Sequence, residues 1–101
     1  MTIYERPFDQ VLFTYCIHQD VTVRKISTLA NYIGYKLDEY GGFTILQCLT
    51  IRSFLNTLKS RISKMENNKK LMDRFNYHFE QFYEDIENAM NEIKSKKSEN
   101  N

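Results

Sequence analysis

The sequence predicts a small all-α protein, a bundle of about four helices that ends in a long antiparallel helical hairpin. Its apolar residues recur at alternating spacings of three and four, which is the spacing of one helical face. Only three glycines and one proline occur in 101 residues, too few for the many turns of a small all-β domain. The hydrophobic fraction of 42% and the charged fraction of 27% are typical of a globular chain.

The chain length fits one domain over residues 1–97, followed by a polar tail at 98–101 that we expect to be disordered. The sequence shows neither a signal peptide nor an apolar run long enough to span a membrane. Cys16 and Cys48 lie within apolar runs, which favours two buried free thiols in a reducing compartment. We therefore expect a cytoplasmic protein with no membrane partner.

Pro7 is predicted to lie in the first turn of the first helix, where its missing N–H costs nothing. Residues 11–17 are also rich in strand-forming side chains, so helix and strand both remain open for residues 8–18. The apolar face of such a helix would consist of Phe8, Val11, Leu12, Tyr15 and Cys16.

The second helix is predicted to run to Tyr40. Either Asp20 or Thr22 can supply the N-cap oxygen that accepts from a free backbone N–H. Gly41-Gly42 can close the C-terminus, because glycine readily adopts the left-handed conformation found there. The apolar stripe of this helix consists of Val23, Ile26, Ala30, Ile33, Leu37 and Tyr40.

The third and fourth helices are predicted to form the hairpin. Thr44 and Gln47 have the spacing of a capping box, which marks the start of the third helix. The apolar phase slips across residues 66–70, where two asparagines disfavour a helix interior and favour a turn. The alternative is one continuous helix with a local stammer. The two stripes are Cys48, Ile51, Leu55, Leu58, Ile62 and Met65, then Met72, Phe75, Phe79, Phe82, Ile86, Ala89 and Ile93.

The net charge of +1 conceals a division of charge between these two helices. Residues 51–70 carry six bases and one acid, whereas residues 71–93 carry one base and six acids. Flanking positions of opposite sign face each other in an antiparallel hairpin, so we expect the charges to pair within the chain. The other interpretation is an exposed basic face that meets an acidic or phosphate-bearing partner.

The sequence contains no recognisable catalytic or metal-binding motif. Glycine-rich phosphate loops, GxSxG, HExxH and CxxC are all missing from it. His18 and His78 have no suitably spaced partner, and the acid pair Glu80 and Glu84 is expected to belong to a solvated face. We therefore expect a protein that is not an enzyme, with no cofactor, no metal and no small-molecule substrate.

The second helix contains a pattern that resembles the first helix and turn of a helix-turn-helix. The pattern consists of Leu29-Ala30, Ile33-Gly34 and Tyr35. The resemblance implies a DNA-binding regulator that uses residues 22–43, with the later helices for dimerisation. The sequence departs from the family at the recognition helix, about 36–43, which contains two glycines and two acids. The candidate DNA contacts are Arg24, Lys25, Lys36, Arg52 and Lys59.

A second resemblance is to the small secreted helical-hairpin proteins. Tyr40-Gly41-Gly42 matches their aromatic-x-glycine turn, and residues 83–87 match their tail signal of a tyrosine followed by an acid. The tryptophan usual in that family is missing here.

The aromatic residues supply the candidate partner-binding positions. Aromatic side chains make up 14% of the chain, and tyrosine is enriched at protein interfaces. The candidates for an exposed binding surface are Tyr32, Tyr35, Tyr77 and Tyr83. We therefore expect a non-catalytic regulatory or adaptor protein that contacts a protein partner. A homodimer is one such arrangement. The richness in Asn, Lys, Ile, Tyr and Phe fits an AT-rich genome, such as that of a phage, a plasmid or a low-GC bacterium.

Overall fold

The computed structural model describes residues 3–99, and side chains over residues 3–95. This part of the chain is all-α and forms a small bundle with four α-helices and no strand, which confirms the predicted fold class. A short 3-10 turn at Ile3–Glu5 precedes the helices. The helices are α1 (Phe8–Phe13), which continues as a π-helical turn over Thr14–His18, then α2 (Val23–Tyr40), α3 (Ile45–Ser63) and α4 (Lys69–Glu99).

Residues 8–18, for which helix and strand were both open, are helical. Pro7 is the N-cap directly before α1, one position earlier than the first turn predicted for it, with the φ of −56° that its ring imposes. Arg61 of α3 holds the other end of this segment, because its guanidinium donates to the carbonyl oxygens of Cys16 and Gln19, both at 2.7 Å. A side chain from a distant helix thus satisfies the carbonyls that a helix C-terminus leaves free.

Both ends of α2 follow local signals in the sequence. Thr22, rather than Asp20, is the N-cap, and its hydroxyl accepts from the Lys25 backbone N–H at 3.1 Å. Gly41 closes the helix in the left-handed conformation with a φ of 72°. Between these ends α2 passes through Gly34 without a break. The helix-turn-helix arrangement expected within residues 22–43 was therefore wrong, because this segment forms one helix and its terminal turn.

The capping box at the start of α3 is confirmed. The Gln47 backbone N–H donates to the Thr44 hydroxyl at 3.1 Å, and the Thr44 backbone N–H donates to the Gln47 side chain at 2.8 Å. α3 ends at Ser63 and α4 begins at Lys69, so a turn rather than a continuous helix separates them. Asn67 in this turn has a φ of 55°, a left-handed conformation that asparagine tolerates better than most residues.

The core lies where α4 packs against both α2 and α3, and where the first helical segment packs against α3. Its buried side chains come from every helix. They are Val11, Leu12, Cys16, Ile26, Leu29, Tyr32, Ile33, Ile51, Leu55, Leu58, Ile62, Phe75 and Phe79.

The buried face of α2 is rotated from the predicted stripe. Leu29 and Tyr32 are buried, whereas Leu37 and Tyr40 at the end of the stripe are exposed. The N-terminal segment causes this rotation: the Phe8 ring lies 5.7 Å from the Tyr32 ring, and the Tyr32 hydroxyl donates to a main-chain oxygen of that segment at 3.0 Å.

α4 runs to Glu99, and residues 100–101 of the predicted tail lie outside the described residues. The extent of the domain and the disorder of residues 98–101 stay predictions. Within residues 3–99, none of the helices combines the length and the apolar character that a membrane span requires.

Candidate interaction surface

An apolar cleft opens at the end of the bundle where α2 ends, α3 begins and α4 passes both. It encloses about 230 Å³, less than the ~300–1,000 Å³ typical of small-molecule sites. The space therefore suits an apolar side chain better than a cofactor. Its lining is Ile33, Leu37, Phe43, Ile45, Cys48, Phe82, Asp85, Ile86 and Ala89, a set with one carboxylate and no base.

Large apolar side chains stand open to solvent at this cleft. Leu37 is 42% exposed and Ile45 is 38% exposed, and both line it. Ile93, 47% exposed, lies four residues beyond Ala89 on the same face of α4. We call this cleft, together with Leu37 and Ile45 in its lining and Ile93 just beyond it, the cleft surface. Apolar surface grouped in this way marks interaction sites more often than single exposed side chains do.

α4 extends past the helices that cover it. It has 31 residues and α3 has 19, so α4 is longer by about 18 Å at the ~1.5 Å rise per residue. All side chains over residues 91–95 are exposed. The apolar stripe of α4 thus continues through Ile93 beyond the region that packs on the bundle.

The four candidate tyrosines have different environments. Tyr32 is 0% exposed, so the expected exposure of this residue was wrong, because the N-terminal segment covers it. Tyr35 is exposed beside Tyr4, with ring centres 4.8 Å apart. Tyr77 is 77% exposed and lies under the Arg74 guanidinium.

Tyr83 is half-buried against α3. Its hydroxyl donates to the Asn56 side-chain oxygen at 2.6 Å, and the Lys59 ammonium lies over its ring. Burial raises the pKa of Tyr83 to about 12, against the opposing effect of the nearby Arg52 charge. The hydroxyl is therefore a neutral donor that links α4 to α3.

The candidate DNA-contacting bases of α2 do not form one exposed set. Arg24 is exposed and Lys25 is half-buried, but Lys36 is buried and donates to the Glu39 carboxylate at 3.2 Å. Burial alone would lower the pKa of Lys36, but the hydrogen bond to Glu39 and the neighbouring tyrosines outweigh it, so the pKa is raised. The expectation that Lys36 lies on an accessible surface was therefore wrong. The aromatic rings around its ammonium are those of Tyr32, Tyr35 and Tyr40, each within 5.9 Å.

The bases of α3 and the acids of α4 form no ion pair among the described side chains. Over residues 3–95, Lys36–Glu39 is the one ion pair within 4.0 Å, so the expected neutralisation between the two helices was wrong. Arg52 and Lys59 instead lie beside Tyr83. The acids of α4 lie on the exposed face of that helix. An open polar surface on α3 results, lined by Leu49, Arg52, Ser53, Asn56, Thr57, Ser60, Arg61 and Lys64.

Groups that could do chemistry are sparse in the part of the chain that the structure describes. It contains no cluster of three or more His, Cys, Asp or Glu side chains suited to a metal. Both cysteines are free thiols, and burial raises the pKa of Cys16 to about 12. The Ser27 hydroxyl lies 3.0 Å from His78 Nε2, joining α2 to α4.

Comparison with known proteins returned no matching family, no similar curated protein and no similar solved structure. The sequence did not single out the cleft surface. The feature of the sequence that relates to this surface is the continuation of the α4 apolar stripe to Ile93. That continuation is informative only when the ends of α2 and α3 are known.

Proposed function

We propose that the protein is a small cytoplasmic regulatory or adaptor protein that acts through protein–protein contacts and carries out no catalysis. The observation that supports it is the cleft surface, which exposes Leu37 and Ile45 at a cleft too small for most small molecules and Ile93 one helical turn beyond it. Burial of such side chains against a partner contributes about 25 cal/mol per Å² of apolar area removed from water.

The contact between Ser27 and His78 is the arrangement closest to a catalytic pair, and its surroundings oppose that role. A serine nucleophile needs a histidine base oriented by a third, acidic group. Here the charged neighbour of His78 is Arg74, and together with burial it lowers the pKa of the ring. A neutral imidazole bonded to serine fits a structural link between α2 and α4.

Capture experiments on the full chain test the proposal. The wild-type protein and a Leu37→Glu variant are used to retain proteins from an extract of the native host. Leu46→Glu is the matched control, because Leu46 is 71% exposed but lies outside the cleft. We expect a protein retained by the wild type and by the control, and lost with Leu37→Glu. Identical retained proteins for all three would contradict the proposal.

A second candidate function is nucleic-acid binding by the open surface of α3. Arg52 lines this surface together with serine, threonine and asparagine side chains. Over the described side chains it has no carboxylate within 4.0 Å. Such side chains commonly contact phosphates. Labelled duplex DNA at a series of salt concentrations tests this function. Affinity that falls steeply with salt and is lost in Arg52→Glu supports it, and no binding at low salt excludes it.

A further inference from the structure

We infer that the cleft surface is the contact between two copies of this chain. In this dimer the two α4 helices run antiparallel, and the exposed end of each α4 lies on the cleft of the other copy. The inference rests on the proposed protein-contact function and names its partner as a second copy.

The described end of α4 is not covered within a single copy. A helix of this length is stabilised mainly by packing of its apolar face rather than by its intrinsic propensity. Over residues 91–95 every side chain is exposed, yet Ile93 keeps the apolar spacing set by Ile86 and Ala89. The stripe therefore continues where no described element of the same copy covers it, and a second copy would cover it.

The cleft suits the Ile93 side chain of a second copy. The cleft of about 230 Å³ is apolar and opens between Leu37, Ile45 and Ala89. Ile93 is the large apolar residue of α4 that stands exposed just beyond the cleft. An isoleucine side chain from a second copy would bury its own apolar surface together with that of the leucine and isoleucine walls.

Acidic and basic residues occupy different parts of α4. Residues 80–92 contain five acids and no lysine or arginine, whereas residues 94–99 contain three lysines and one acid. Antiparallel helices would bring the basic end of one copy towards the acidic segment of the other, including Asp85 at the cleft. Parallel helices would place the acidic segments side by side, which is unfavourable.

A two-fold dimer is a closed assembly. In a two-fold dimer the same surface is used by both copies, so each Ile93 that enters a cleft is matched by the reciprocal contact. One association event would therefore cover both exposed ends. A head-to-tail arrangement would leave one cleft surface open at each end of the assembly.

The molar mass in solution tests the dimer. The wild-type chain of 12.1 kDa is expected at 24.2 kDa, twice that value, by light scattering or sedimentation at high concentration. Ile93→Glu is expected to shift the mass towards 12.1 kDa with unchanged helical circular dichroism, since this side chain is exposed within the single copy. The control Leu46→Glu, outside the cleft, is expected to remain dimeric.

A disulfide tests the orientation. Cys48 lines the cleft, so Ile93→Cys on one copy is expected to form a covalent dimer with Cys48 of the second copy in a glutathione redox buffer. The covalent dimer should be lost when Cys48→Ser is added. If it persists there, the two introduced cysteines lie together, as in a parallel pair, and the antiparallel arrangement is overturned.

A wild-type mass of 12.1 kDa at every concentration overturns the inference. That result leaves the proposed function standing if Leu37→Glu still loses a protein captured from the host extract. If the wild type is monomeric and the capture is also unaffected by Leu37→Glu, both proposals fail.

Discussion

The Lys59 ammonium lies 5.6 Å from the centre of the Tyr83 ring. Its neighbour on α4 is therefore an aromatic ring, whereas the charge pattern predicted a carboxylate. The Tyr83 hydroxyl in turn donates to the Asn56 side chain at 2.6 Å. An aromatic and polar contact thus joins α3 and α4 where ion pairs were expected. The basic surface of α3 and the acidic surface of α4 both remain available to other molecules.

The hydroxyl of Tyr83 should contribute modestly to stability. Tyr83→Phe removes its hydrogen bond, and we expect the free energy of unfolding to fall by about 0.5–1.5 kcal/mol. Asn56 is exposed, so water can replace the lost donor and the lower part of that range is expected. Urea unfolding measures the change. Tyr77→Phe, at an exposed position, should change nothing, and equal losses in both variants would contradict the assignment.

His78 should make stability depend on mildly acidic pH. Burial and the Arg74 charge lower the pKa of His78 below its ordinary 6.5 in the folded chain. As the pH falls below 6.5, the unfolded chain binds a proton that the folded chain does not, so the free energy of unfolding decreases. The decrease should level off below the folded pKa. His78→Gln should lack this component, and an identical pH profile in the variant would contradict the assignment.

The link from Arg61 to the first helical segment should be among the most sensitive polar contacts. Arg61→Ala leaves two main-chain carbonyls without their donor, and we expect a loss of about 2–3 kcal/mol in urea unfolding. Arg61→Lys keeps the charge but not the two-pronged geometry, so it should restore only part of the loss. Lys64→Ala is the control, since the Lys64 side chain is exposed and forms no ion pair with the described side chains. A loss as large for Lys64→Ala would contradict the role of Arg61.

Alanine at Gly34 of α2 and alanine at Gly41 of its terminal turn should change the stability of the protein in opposite directions. Gly34 lies within the helix, and no neighbouring atom is within 4 Å of the position that an added methyl group would take. Gly34→Ala should therefore stabilise the protein by about 0.5–1 kcal/mol. Gly41 has a φ of 72°, so Gly41→Ala should destabilise it by about 1–2 kcal/mol. Thermal unfolding checks both. Destabilisation by Gly34→Ala would contradict the unobstructed position of Gly34 within a continuous helix.

The helix ends could be predicted because their causes are local. Thr22, Gly41 and the Thr44–Gln47 pair each act through main-chain groups within a few residues. The turn before Lys69 was likewise marked by a slip of the apolar phase and by adjacent asparagines.

The side-chain environments could not be predicted, because they depend on segments far apart in the chain. Tyr32 and Lys36 are buried by aromatic residues of the N-terminal segment and of α2 itself, which no local spacing indicates. The described bases of α3 form no ion pair with α4, because apolar contacts and Tyr83 occupy the positions that face that helix. The cleft surface depends on where three helices end relative to one another.

Amide hydrogen exchange over residues 86–95 tests most directly whether a second copy covers the cleft surface. Helical amides that are covered on association exchange more slowly than those of an exposed helix end. We predict exchange that slows as the concentration of the wild-type chain rises, in Leu46→Glu as well, and that stays fast in Ile93→Glu. Exchange that is the same at all concentrations and unaffected by Ile93→Glu would contradict the account.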